Sequence, residues 1–99
     1  MLYAFICQDK SGTLKDRMQA RPNHVERLLQ LKQQGRLIIA GPYPMIDNPE
    51  PGEAGFSGSL IVAEFDCLSE AQQWAENDPY VKAGVYQSVI VKPFNMVLP

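Results

Sequence analysis

The sequence predicts an α+β domain in which two helices cover one face of a four-stranded antiparallel sheet. Three observations carry that prediction. Four short apolar runs rich in β-branched and aromatic residues read as strands. Two stretches with helical spacing lie between the first and second runs and between the third and fourth. Glycine and proline cluster at the junctions.

Each element follows from its residues. Leu2–Gln8 is nearly continuously apolar and reads as a buried strand, followed by a turn at Lys10-Ser11-Gly12. Thr13 is placed to cap a short helix, with Asp16 in its first turn. Arg21-Pro22 interrupts, because proline disfavours helix for the residue before it and suits the first turn of a new one. The main helix is therefore expected from about Pro22 to Gln34, closed by Gly35. On it, Val25, Leu28, Leu29 and Leu31 form an apolar stripe, with Glu26, Arg27, Gln30, Gln33 and Gln34 opposite. His24, the single histidine, projects at the margin of that stripe in the first turn.

Arg36–Ala40 is the second strand. The stretch from Gly41 to Gly58 holds four of the eight prolines and four of the seven glycines, and reads as a long loop. Ser59–Phe65 is the third strand. Ser69 to Gln72 has the capping-box pattern, opening a helix through Trp74 to about Asn77, where Asp78-Pro79 ends it. Gly84 leads into the fourth strand, Val85–Phe94.

The order β-α-β-β-α-β is that of a ferredoxin-like split sandwich, and right-handed crossovers put both helices on one face. The first three strands are nevertheless apolar on both alternations: Leu2, Ala4 and Ile6 against Tyr3, Phe5 and Cys7, for example. A half-exposed antiparallel sheet alternates apolar with polar instead. A second copy packed sheet to sheet is the simplest cover, so a homodimer is expected.

Composition bounds the function. The 99 residues make one domain, covering 1–99, with marginal stability on its own. A net charge of −2 and no run of Lys or Arg argue against nucleic acid as a partner. The apolar start ends at Asp9, too short for a membrane span and without a signal-peptide pattern, so no membrane partner is expected and the cytoplasm is the default location. Cys7 and Cys67 fit no metal or redox spacing and read as two buried thiols.

There is no nucleophile elbow, phosphate loop, metal motif or dinucleotide fingerprint. One histidine remains, and it becomes a useful acid–base group when a carboxylate holds its other ring nitrogen. Glu26, Glu70 and Glu76 are placed to be solvated, whereas Asp78 ends the second helix, where it can approach His24. The alternatives stay open at this level. His24 also reads as a structural first-turn residue, and Asp78-Pro79 as the cap of a short turn through Lys82. Arg17 and Arg21 read as solvated.

Five pieces in register resemble the YCII-related family: "RPNH", "GRLIIAGP", "GFSGSLIVAEF", "AQQWAENDPYVKAGVY" and "VKPF". The resemblance implies a dimeric α+β barrel and a cleft with a histidine–aspartate pair, here His24 and Asp78. It also implies similarity to cofactor-free enzymes that act on small hydroxylated or chlorinated ring compounds by proton transfer, a dehydrochlorinase among them. On that reading Arg21, Ser57, Ser59 and Tyr80 are candidates to hold a polar group of the substrate, the Gly41–Gly58 loop is a candidate lid, and no metal is required. A non-catalytic ligand-binding or regulatory homodimer, a two-ligand metal site and a cofactor-free oxygenase are the rival readings.

Overall fold

A computed structural model describes all 99 residues, Met1–Pro99. The elements are β1 (Leu2–Asp9), α1 (Leu14–Gln33), β2 (Leu37–Pro44), β3 (Phe56–Glu64), α2 (Leu68–Glu76), α3 (Pro79–Lys82) and β4 (Tyr86–Phe94). A single 3₁₀ turn at Gly52–Ala54 lies between β2 and β3. The strands form one antiparallel sheet in the order β2-β3-β1-β4. This is the ferredoxin-like α+β arrangement. No helix is long and apolar enough to cross a membrane.

The core lies between the sheet and the helices. Tyr3, Phe5 and Cys7 of β1 and Ile61 and Ala63 of β3 point to it from alternate positions, as a period of two requires. Leu31 of α1, Ala71 and Ala75 of α2, and Tyr80 of α3 close it from above. Phe5 meets Phe65 and Trp74 at ring separations of 5.6 and 5.2 Å in edge-on geometry, which suits the ring quadrupoles.

Several boundaries differ from the sequence expectation, each for a physical reason. The first helix does not break at Arg21-Pro22; it runs unbroken for 20 residues with Pro22 inside. Pro22 lies on the exposed face, where water can satisfy the carbonyl that its missing N–H leaves free. Thr13 sits at the N-cap position but does not cap: its hydroxyl donates to the Lys10 carbonyl at 2.7 Å. The C-terminus follows expectation. Gly35 has φ +72°, and the bonds Gly35 N–H to Lys32 and Arg36 N–H to Leu31 form a Schellman turn.

β2 extends four residues beyond Ala40, through Pro42 and Pro44, because it is an edge strand where a missing N–H leaves no ladder bond unmade. β3 begins at Phe56, before Ser59. The expected loop from Gly41 to Gly58 is accordingly shorter at both ends. Ser69–Gln72 is not the helix start either. Cys67 holds the N-cap position without a side-chain bond, and Leu68 is the first helical residue. Cys67 is exposed, not buried as expected; only Cys7 is a core thiol.

A register shift in β2 between Leu37 and Ile39 pairs Leu37 with Ala63 and Ile39 with Val62. Leu37 and Ala40 therefore share the helix-side face, which strict alternation would have denied to Ala40. That slip turns Ala40 and Pro42 toward α1. The opposite face of the sheet carries Ala4, Ile6, Leu60, Val62 and Ile90. Ile6, Ile39, Ile90 and Phe94 there are 38%, 51%, 48% and 40% exposed.

Candidate active site

One face of α1 carries polar residues where an ordinary amphipathic helix carries core. Arg17, Arg21, His24, Leu28 and Leu31 follow one another at spacings of four, three, four and three, so they stack along one stripe. Arg17 and His24 are 5% and 6% exposed. Leu29, expected in the stripe, is 44% exposed. Arg27, expected on the outer face, is half-buried, lies 4.5 Å over the Trp74 ring and donates to the Trp74 carbonyl at 2.8 Å.

His24 and Asp78 meet. His24 Nδ1 lies 2.9 and 3.0 Å from the two oxygens of Asp78, whose exposure is 3%. Asp78 is also the N-cap of α3: its Oδ1 accepts from the Tyr80 N–H at 2.8 Å, with Pro79 in the first position. The two readings of Asp78 left open by the sequence are therefore both true of one carboxylate, which has lone pairs enough for both donors. α3 is only one turn long, but it is locked at its far end as well. Gly84 at φ +75° and the Val85 N–H bond to the Tyr80 carbonyl complete a second Schellman turn.

That lock fixes Tyr80, a ring 2% exposed between an imidazole and a guanidinium. The His24 ring stacks on it at 3.9 Å and 16°, and the Arg17 guanidinium carbon lies 4.6 Å from its centroid. Burial pushes the Tyr80 phenol above its ordinary value, and the Arg17 and Arg21 charges oppose that rise.

Arg17 was expected to be solvated, and it is instead the most heavily bonded side chain of the site. Its Nη1 donates to both oxygens of Asp9 at 2.9 and 2.7 Å, and its Nη2 donates to Ser59 Oγ at 2.6 Å and to the Gly58 carbonyl at 3.4 Å. Desolvation pushes the Asp9 carboxyl up against the pull of Arg17. Sequence reasoning missed the Asp9–Arg17 pair. The signal was present in the helical phase, since Arg17 is seven residues before His24, and in the odd-numbered register of Asp9 with Tyr3, Phe5 and Cys7.

Beside this pair the Tyr86 hydroxyl is buried near Cys7 and Ser59 without a partner at hydrogen-bonding geometry. Burial drives its phenol far up, and pushes the Cys7 thiol up to about 12, so both stay neutral. Gly58 is required here. A Cβ at this position would run into the Cys7 carbonyl of the neighbouring strand, so the close approach of β1 and β3 needs glycine.

These residues enclose a cleft of about 260 Å³ between α1 and β2, floored by β3 and α3. His24, Tyr80, Ser59 and Arg21 line it, with Met18, Val25, Leu28, Pro42 and Phe56 as apolar walls. This volume is at the small end of ligand sites. Ser57 does not line the cleft, and Arg21 sits exposed at its mouth. No three His, Cys, Asp or Glu side chains are grouped closely enough to hold a metal ion.

With Asp78 accepting from Nδ1–H, the neutral ring carries its lone pair on Nε2, which has no partner within the protein. The arrangement can take a proton from a group in the cleft and hold the resulting imidazolium against Asp78.

Comparison with known proteins agrees with this architecture. The YCII-related domain matches residues 1–95. Protein YciI of Escherichia coli O6:H1 is 53% identical over 97 residues, which cover 98% of this chain and 99% of that protein. A protein of Haemophilus influenzae is 50% identical over 97 residues with the same coverage. Among solved structures, the 5-chloro-2-hydroxyhydroquinone dehydrochlorinase TftG of Burkholderia phenoliruptrix, in complex with 2,5-dihydroxybenzoquinone, is similar with a TM-score of 0.83. It is 26% identical, and the match covers 96% of this chain and 94% of that one. In sequence over nearly its whole length and in fold, this chain belongs to the YCII-related domain family.

Proposed function

We propose that the protein is an enzyme that transfers a proton on a small hydroxylated or chlorinated ring compound, with His24 as general base and acid and Asp78 as its orienting partner. The observation that carries this reading is the pair itself. One imidazole nitrogen is held by a buried carboxylate, and the other is left without a protein partner on a ring that lines a cleft. Nε2 takes the proton of a ring hydroxyl, and Asp78 stabilises the imidazolium that forms. The electron pair released into the ring takes a proton at a ring carbon from the same nitrogen, which shifts the double bond and gives the keto tautomer. Where that ring carries chlorine, chloride then leaves as a second hydroxyl gives up its proton. No cofactor enters this scheme. The likeness to a dehydrochlorinase bound to a dihydroxylated quinone supports the substrate class.

The test is His24→Ala against a panel of chlorinated and hydroxylated hydroquinones, beginning with 5-chloro-2-hydroxyhydroquinone and following chloride release and ring absorbance. Loss of about 10²–10⁴ in rate with fold intact is expected from removing a general base. Undiminished turnover overturns the assignment. Saturable binding without chemical change replaces it with the ligand-binding module.

We propose further that the protein works as a homodimer, joined through the sheet face away from the helices. The exposed apolar residues Ile6, Ile39, Ile90 and Phe94 form that surface, and a second copy is the partner whose chemistry they match. Sedimentation at micromolar concentration is expected to give a dimer, and a monomer would overturn this proposal.

A further inference from the structure

We propose that the cleft selects ring compounds carrying a negative charge, such as a carboxylate or an ionised enol, and that Arg21 is the residue that reads that charge. This rests on the cleft described above as the substrate site, and it adds what kind of ring the site takes.

The charge balance among the polar groups at the cleft points to this ligand. Of the charged residues at the cleft, Arg17 has its charge answered by Asp9. Asp9, Ser59 and the Gly58 carbonyl take the four N–H of its two terminal nitrogens, and its guanidinium lies under Phe56 and Tyr80. Both nearby carboxylates are spent as well. Asp9 gives both oxygens to Arg17, and Asp78 gives both to His24 and one also to the Tyr80 N–H. No Asp or Glu lines the cleft.

Besides the Ser59 hydroxyl hydrogen and the Arg17 Nε–H, three polar groups of the cleft lining remain available to a ligand: His24 Nε2, the Tyr80 hydroxyl and the Arg21 guanidinium. Arg21 makes no ion pair and no hydrogen bond within the protein. Its charge nevertheless reaches the Tyr80 hydroxyl, which it holds down against burial. The free charge of the site is therefore positive, with nothing of the opposite sign to answer it. A neutral ring leaves that cation unpaired, whereas an anionic one supplies the missing partner.

Spacing supports the same assignment. Arg21 and His24 are three residues apart on one helix face, with Cβ atoms about 5–6 Å apart. A long guanidinium reaching from that distance can meet one substituent of a ring while Nε2 meets a hydroxyl across it. The planar fork of arginine suits a carboxylate in a bidentate manner, which lysine cannot reproduce. The apolar walls then hold the flat part of the ring between the two polar ends.

The experiment is calorimetric titration of the intact protein and of Arg21→Gln with 2,5-dihydroxybenzoate and with the neutral 2,5-dihydroxybenzamide. The wild type is expected to bind the acid about tenfold more tightly than the amide, with the margin shrinking as salt is raised. Arg21→Gln is expected to bind both as weakly as the wild type binds the amide, and Arg21→Lys to restore part of the preference. Equal binding of the two compounds by the wild type overturns the proposal. So does a preference that survives in Arg21→Gln, or failure of both compounds to bind. The readout is binding alone, so the failure of His24 as a catalyst would leave the charge preference standing, and its loss would leave His24 untouched.

Discussion

Asp78 performs two tasks, and two substitutions separate them. Asparagine is an equally good N-cap, so Asp78→Asn keeps the bond from the Tyr80 N–H, 2.8 Å in the wild type. It removes only the charge facing His24. Hydrogen bonds to charged groups contribute about 1.5–3 kcal/mol and neutral ones about 0.5–1.5, so this variant should lose about 1–2 kcal/mol. Asp78→Ala removes the cap as well, about 1 kcal/mol. It also strands the buried His24 Nδ1–H, another 1 kcal/mol or so. The alanine variant should therefore lie about 2 kcal/mol below the asparagine one in urea unfolding. Nitrogen NMR of the single histidine supplies the second readout, since it reports which ring nitrogen carries the proton. The wild type is expected to show Nδ1–H. Equal stability of the two variants would refute the capping half of the argument. A proton on Nε2 in the wild type would refute the general-base half, because no lone pair would then face the cleft.

The Asp9–Arg17 pair has almost no water around it, with side-chain exposures of 3% and 6%. Arg17→Met leaves Asp9 charged and buried, and should cost about 3–5 kcal/mol, whereas the double change with Asp9→Leu should recover most of that in urea unfolding. A single change costing under 1 kcal/mol would mean that water reaches the pair. Cys7 makes a pH prediction. Its folded-state value is raised from 9.0 to about 12, chiefly by burial, so its contribution is complete below pH 9 and is lost as pH rises toward 12. Stability should fall from about pH 9 with a slope of up to about 1.4 kcal/mol per pH unit. In Cys7→Ala, at a cost of about 1 kcal/mol at neutral pH, the decline should wait for the tyrosines near pH 10. An unchanged alkaline limb in that variant would refute the assignment.

The element order and the two-helix layer were legible because each rests on local signals. The residues alone left the His24–Asp78 contact open, across 54 positions of sequence, and only the resemblance to the YCII-related family pointed to it. Alternation and β-branching mark strands, and Gly35 and Gly84 mark helix ends by a φ that other residues resist. The boundaries that moved are those where tertiary structure overrides a local preference. Pro22 inside a helix is tolerated when it faces water, and Pro42 and Pro44 are tolerated in a strand that nothing pairs on its outer side. Neither condition is visible until the neighbours of the element are known. The slip in β2 that turns Ala40 toward the cleft is likewise invisible to a strict period of two.

Arg17 was illegible for a different reason. A helix stripe is read by asking where the apolar residues recur, and this stripe replaces apolar residues with Arg17 and His24 over its first three turns. A buried arginine is tolerable only if its donors are satisfied, and the satisfying groups come from three places: Asp9 at the end of β1, Ser59 on β3 and the Gly58 carbonyl beside it. Those groups are 8, 42 and 41 residues away in sequence. No one of them signals the network, since Asp9 reads as the end of an apolar run, Gly58 as the end of a loop and Ser59 as the start of a strand. Yet each has a structural reason to be where it is, and the same three groups fix the guanidinium that backs the Tyr80 ring on which His24 stacks. The polar stripe is thus one device with two consequences. It lets the helix pack with charged residues in its buried face, and it holds the cleft's only histidine at a fixed angle to Asp78.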